Sequence, residues 1–130
     1  MKNIVIKGVV LLIVLVIFIY VAMLLDTNKL MSRVKSAFRF ELSLEETKGD
    51  LIDRYNFRKH FSNRDVGEIR LSIYRVYCIH NFKRGRLLIH YYYVAYDTDG
   101  KIITGSKAFS NWEIQKEDGE WRIIDIEERP

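Results

Sequence analysis

The chain has 130 residues and a formal net charge of +4, enough for one small domain beside one membrane segment and too few for two packed domains. Its one cysteine, Cys78, excludes an intramolecular disulfide scaffold, and a sole proline, Pro130, with no repeat or low-complexity stretch excludes Pro-rich and solenoid architectures. All seventeen acids and nineteen of the 21 Lys and Arg follow residue 25, so the later part carries only +2 with both signs interspersed, and nucleic acid is not its expected partner.

Residues 8–25, GVVLLIVLVIFIYVAMLL, contain no charge. As a helix they rise about 27 Å against a hydrocarbon core of about 30 Å, and Ile4, Val5 and Ile6 close the gap with Lys7 snorkelling to the headgroups. Lipid forces the backbone to satisfy its own hydrogen bonds, so a helix is expected despite the β-branched content, with Tyr20 placed as a belt residue. Lys2 and Lys7 also suit a secretory leader. The exit Val21-Ala22-Met23-Leu24-Leu25-Asp26 has no fitting small-residue cleavage pattern, and the apolar run exceeds a usual leader, so an uncleaved single-pass signal-anchor over residues 1–25 is expected. The basic leader places the N-terminus in the cytoplasm and residues 26–130 outside it, while Lys29, Arg33 and Lys35 weigh the other way.

Asp26, Thr27 and Asn28 can cap a new helix, and Leu30, Met31, Val34, Ala37 and Phe38 recur at helical spacing, which predicts a helix over 28–40. The alternation Phe38, Phe40, Leu42, Leu44 competes with it as a short strand. Beyond, Ser43 or Thr47 can cap, and Leu51, Ile52, Tyr55, Phe57 and Phe61 supply apolar contacts. Gly49 and Asn56 interrupt them, so residues 44–61 are expected as short or broken helices, followed by a loop at 62–65.

Four strand-like runs follow, at 69–82, 86–97, 101–115 and 121–127. Lys83-Arg84-Gly85, Asp97-Thr98-Asp99-Gly100 and Glu117-Asp118-Gly119 separate them, each with a glycine able to take positive φ. The apolar phase slips from Ile69, Leu71 and Ile73 to Tyr74, Val76 and Cys78, predicting a bulge near Tyr74, and Gly105 marks a second. Helices followed by an antiparallel meander give an α+β fold, with the helices on one face of a curved sheet.

The run WEIQKEDGEWRIIDIEERP, behind the hairpin YYYVAYDTDGK, resembles the closing strands of the NTF2-like (cystatin-like cone) superfamily, through Trp112, Asp118, Gly119, Trp121, Ile123, Asp125 and Ile126. The resemblance covers residues 26–130, most specifically the last forty or so. It implies an NTF2-like domain behind a membrane anchor, an arrangement similar to anchored domains of secretion and conjugation assemblies. At 105 residues the domain is short for such components, and a fold alone does not assign a function.

Cys78 and His80 share a strand face, and His90 on the next strand is placed to face Cys78, a trio of metal-ligand type. The spacing matches no dedicated metal motif, so a buried thiol and two packed histidines are expected, with no metal or cofactor. His90, Glu113 and Asp125 are the acid/base candidates if they point into a cone, whereas Asp97 and Asp99 are explained by their turn. No nucleophile elbow, Ser-His-Asp order, phosphate loop or CxxC pair is present. Tyr74, Tyr77, Tyr91, Tyr92, Tyr93 and Tyr96 crowd the first two strands, and Tyr91, Tyr93 and Phe109 are candidate binding residues. Lys83, Arg84 and Arg86 form a small basic cluster, expected as solvated loop charge and equally able to touch anionic headgroups. Trp112, Trp121, Ile123 and Ile126 are expected to hold the core. The function expected is that of a non-enzymatic interaction or self-assembly module in the membrane. A small-ligand or enzymatic cone using an inward His, Asp or Glu is one alternative, and a component of a secretion or conjugation assembly is another.

Overall fold

The structure, a computed structural model, describes residues 1–61 and 66–129. The loop expected at 62–65 lies outside the described residues. One long helix, α1 (Lys2–Asp26), leads directly into α2 (Asn28–Phe38). The short helices α3 (Leu44–Thr47) and α4 (Phe57–His60) follow, with a 3₁₀ turn at Leu51–Tyr55 between them. The sheet contains β1 (Val66–His80), β2 (Arg84–Asp97), β3 (Ile102–Glu117) and β4 (Glu120–Arg129) in the order β1-β2-β3-β4, every neighbour antiparallel. The architecture is α+β, an open meander with its helices on one face.

Helix α1 is the one helix among the described residues long and apolar enough to cross a membrane. Its side chains are exposed through Val21, while Ala22, Met23 and Leu24 are half-covered by the domain. The next helix obeys the expected spacing, burying Leu30, Met31, Val34, Ala37 and Phe38. It stops two residues early because Phe40 takes φ +62° and the Glu41 N–H turns back to the Ser36 carbonyl at 3.0 Å. That closure usually falls to glycine. Here the Phe40 ring packs on Phe57 and Phe61, which offsets the strained backbone and defeats the competing strand.

Ser43 caps α3 through a reciprocal capping box with Glu46. Thr47 does not cap. It is buried, donates to Asp53 at 2.7 Å and accepts from the Asn56 amide at 2.8 Å, tying the broken helical segments into one polar knot. Asp50 and Asn56 cap the segments that follow by accepting the Ile52 and Arg58 N–H groups.

The expected bulge in β1 falls at Val76, between the register pairs Arg75–Ile89 and Tyr77–Leu88. The bulge of β3 sits at Ile103 rather than Gly105, which pairs regularly with Val94. Gly105 instead permits close approach, since a Cβ there would stand 3.0 Å from the Tyr93 carbonyl oxygen. The core lies between sheet and helices: Cys78, Leu87, Ile89, Tyr91, Trp112, Ile114, Trp121 and Ile123 meet Val34, Phe38, Ile52 and Phe57. Trp112 and Trp121 are buried as expected; Ile126 is only half-buried.

Of the three turn glycines, Gly100 and Gly119 have positive φ and stand in open space. Gly85 is different. It opens β2 opposite His80, and a Cβ there would collide with the Ile79 carbonyl and the His80 side chain. Gly85→Ala should therefore cost about 1–3 kcal/mol through a forced backbone shift. Gly100→Ala, strained only by its left-handed φ, should cost about 1 kcal/mol. Chemical denaturation of the full chain in detergent, followed by tryptophan fluorescence, measures both.

Candidate functional site

Register assigns every sheet residue to a face. Leu87, Ile89, Tyr91, Tyr93 and Ala95 of β2 pair with Trp112, Ser110, Ala108, Ser106 and Thr104 of β3, and all point to the helix side. The intervening residues form the outer face, which no helix among the described residues covers. One row across it reads Tyr74, His90, Phe109, Arg129, and the next reads Tyr77, Leu88, Asn111, Glu127.

The metal trio is not assembled. Cys78 pairs with Leu87 and His90 pairs with Tyr74, so Cys78 and His80 lie on the helix side while His90 lies on the outer side. Among the described residues no group of three or more His, Cys, Asp or Glu is placed to hold a metal ion. Burial pushes the Cys78 thiol up, away from the thiolate form a metal or a nucleophile requires. His80 has a structural task. Its Nδ1 accepts the Phe82 N–H at 2.9 Å, so the proton lies on Nε2, which donates to the Met23 carbonyl at 2.9 Å.

The three acid/base candidates all face outward. Glu113 and Asp125 are register partners on the outer face, and His90 stacks edge-on against Phe109 with ring centres 4.7 Å apart. Asp125 misses the interior because Ile124 is an extra residue between the pairs Glu113–Asp125 and Ile114–Ile123. That slip turns Ile126 and Glu128 inward. Glu128 is thus the acid on the helix side, invisible to an alternation counted from Trp121.

Around Glu128 lies a continuous polar network. Tyr55 and Tyr91 donate their hydroxyls to its two oxygens at 2.8 and 3.0 Å, and Arg54 stands 3.5 Å away. Because the Tyr55 proton goes to Glu128, its oxygen accepts from Trp112 Nε1 at 2.9 Å and from Ser110 at 2.9 Å. Phe38 packs against Tyr55, Tyr91 and Tyr93. These groups border a hollow of about 450 Å³ that also touches His60, Phe61 and Thr104. Of the binding candidates, Tyr91 and Tyr93 belong to this inner side, and Phe109 alone faces outward.

The outer face carries large apolar groups in the open: Tyr74 is 53% exposed, Phe109 44% and Tyr92 46%. Both buried side-chain atoms that lack a partner among the described residues, His90 Nδ1 and Asn111 Oδ1, belong to it. Buried polar groups are normally paired, so this face is under-satisfied as well as apolar. Comparison with models of known families, with curated proteins and with solved structures finds no match to this chain.

Burial and the neighbouring Glu128 carboxylate push the Tyr55 and Tyr91 hydroxyls well above the usual tyrosine range. In the unfolded chain these groups ionise near pH 10, whereas the folded chain keeps their protons. Their stabilisation is therefore complete below pH 10 and falls above it, by at most about 1.4 kcal/mol per pH unit for each tyrosine. Denaturation midpoints measured from pH 8 to 11 should fall steeply above pH 10, and less steeply in Tyr55→Phe and Tyr91→Phe at matched pH.

Proposed function

We propose that the chain is a single-pass membrane protein whose extracytoplasmic domain, NTF2-like in design, is a self-assembly module acting through the outer face of its sheet. The exposed aromatics Tyr74, Tyr92 and Phe109 carry this reading, because solvent-exposed aromatic surface is what a protein contact covers. The anchor supports it. Both the β1–β2 and β3–β4 turns lie at the anchor end, since His80 meets Met23 and Lys116 and Trp121 meet Asp26, so the strands lead away from the bilayer.

Two copies in one bilayer share a two-fold along its normal. Facing their outer sheets about that axis lays the β1–β2 half of one over the β3–β4 half of the other. Phe109 then meets the partner's His90, and Tyr74 the partner's Arg129. Aromatic and cation–aromatic complementarity thus favours a second copy over an unrelated partner.

Analytical ultracentrifugation of the full chain in detergent micelles tests this. The expected result is a dimer that Phe109→Asp or Tyr74→Asp weakens at least about 30-fold, the scale of a central contact worth about 2 kcal/mol, with unchanged circular dichroism. A monomer at all concentrations would remove the reading. Orientation is checked separately: an Asp99→Cys variant lacking Cys78 should label with impermeant maleimide from outside intact cells.

The hollow beside Glu128 favours a second reading, a small-ligand site with hydroxyl donors and one carboxylate at its wall. Thr104→Trp, which fills that hollow, should leave self-association intact and abolish any ligand-dependent thermal shift.

A further inference from the structure

Strand β1 runs down the last turn of α1 toward the bilayer. Arg75 donates to Asn28 Oδ1, Thr27 Oγ1 and the Leu24 carbonyl, each at 2.7 Å. Cys78 lies 3.8 Å from Thr27 Oγ1 and 3.7 Å from the Met23 carbonyl. At His80, both the backbone N–H and the ring meet Met23. From residue 75 to residue 80 the partners thus step back along the helix, from Asn28 to Met23.

The turn that follows therefore reaches the level at which α1 emerges from lipid. The exposed part of α1, residues 4–21 with Lys7 snorkelling, rises about 27 Å, close to the hydrocarbon thickness, so its upper edge lies at the level of Ala22 and Met23, which the domain already half-covers.

What stands at that turn is unlike an ordinary hairpin tip. Phe82 occupies it at φ +66°, a conformation hairpins usually give to glycine, and its ring is 42% exposed. The turn is nevertheless firmly built: Asn81 Oδ1 accepts the Lys83 and Arg84 N–H groups at 3.0 and 2.9 Å, and His80 Nδ1 accepts that of Phe82. Ile79, 62% exposed, lies beside it. Lys83 and Arg84 follow it in the chain and Arg86 lies opposite Ile79, all exposed and, among the described residues, without an ion pair.

We infer that this hairpin is a second membrane contact, in which Phe82 enters the boundary between headgroups and acyl chains while Lys83, Arg84 and Arg86 lie on the phosphates of anionic lipids. An exposed apolar ring at a turn followed by cations is the chemistry of an interfacial anchor, and its position against α1 identifies the bilayer holding that helix as the occupant. With two attachment points the domain is held upright rather than swivelling on its tether. The inference rests on α1 spanning the bilayer and is independent of self-association and of which side the domain faces.

The test uses the full chain lacking Cys78, with the fluorophore NBD on Phe82→Cys or on Asp99→Cys at the opposite end of the sheet. Each is reconstituted into phosphatidylcholine vesicles with or without phosphatidylglycerol, some with brominated acyl chains. The label at 82 should emit at shorter wavelength than that at 99 and lose roughly half or more of its intensity to the bromines, as expected for a side chain at the acyl boundary. Exchange of Lys83, Arg84 and Arg86 for Gln, or omission of phosphatidylglycerol, should reduce the quenching. Should Phe82→Cys lose the native tryptophan signal, Lys83→Cys carries the label in its place. Equal, unquenched emission at both positions in chains that co-float with vesicles would overturn the hairpin contact and leave the anchor standing. Failure to co-float after alkaline extraction would overturn both.

Discussion

The joint between the end of α1 and the sheet is the contact on which the rest of the structure depends. A helix C-terminus leaves carbonyls without partners, and here the domain supplies donors for them: Arg75 on Leu24 and His80 on Met23. In return, Asp26 accepts from Lys116 at 2.9 Å and from Trp121 Nε1 at 2.8 Å. Strands β1, β3 and β4 thus all bond the last four residues of the apolar helix. A processing event after residue 25 would remove carbonyls that Arg75 and His80 require, so the helix end is a structural part of the domain.

That joint fixes the direction of everything built above it. Thr27 is fully buried, and its hydroxyl bonds the Leu24 carbonyl while accepting from Arg75, leaving the chain no swivel between α1 and α2. With α2 oriented, its apolar stripe of Leu30, Met31, Val34, Ala37 and Phe38 determines which sheet face is covered. The other face is left bare as a direct consequence. Four strands with helices on one side have two faces and only one cover, so an aromatic row on the uncovered side is a property of the topology.

Much of this was legible in the sequence, and the failures have a common physical source. The long apolar helix, the helix after it, the broken helical segment and all four strands follow from hydropathy period and turn chemistry. The face assignments did not follow, because β1, β3 and β4 carry extra residues, at Gly67 and Val76, at Ile103 and at Ile124, and a one-residue slip moves every later side chain to the other face. Asp125, a candidate only if it points into a cone, faces outward for that reason, and Glu128, not among the candidates, faces inward. Cys78 and His90 separated because the first turn centres on Phe82 and Lys83, two residues before the glycine that advertised it. No period-two count detects a phenylalanine in a left-handed turn.

Glu128 shows what such a slip can create. Without the extra Ile124, position 128 would fall on the outer side, and the Tyr55 and Tyr91 hydroxyls would lose the carboxylate that accepts their protons. Burying four polar groups in an aromatic core is tolerable only if all are satisfied together, since any one left unpaired costs about 1–3 kcal/mol. The carboxylate closes the chain Trp112 to Tyr55 to Glu128 and takes Tyr91 on its second oxygen. The bulge therefore converts a strand end that reads as solvated charge into the polar lock between the 3₁₀ turn and the sheet.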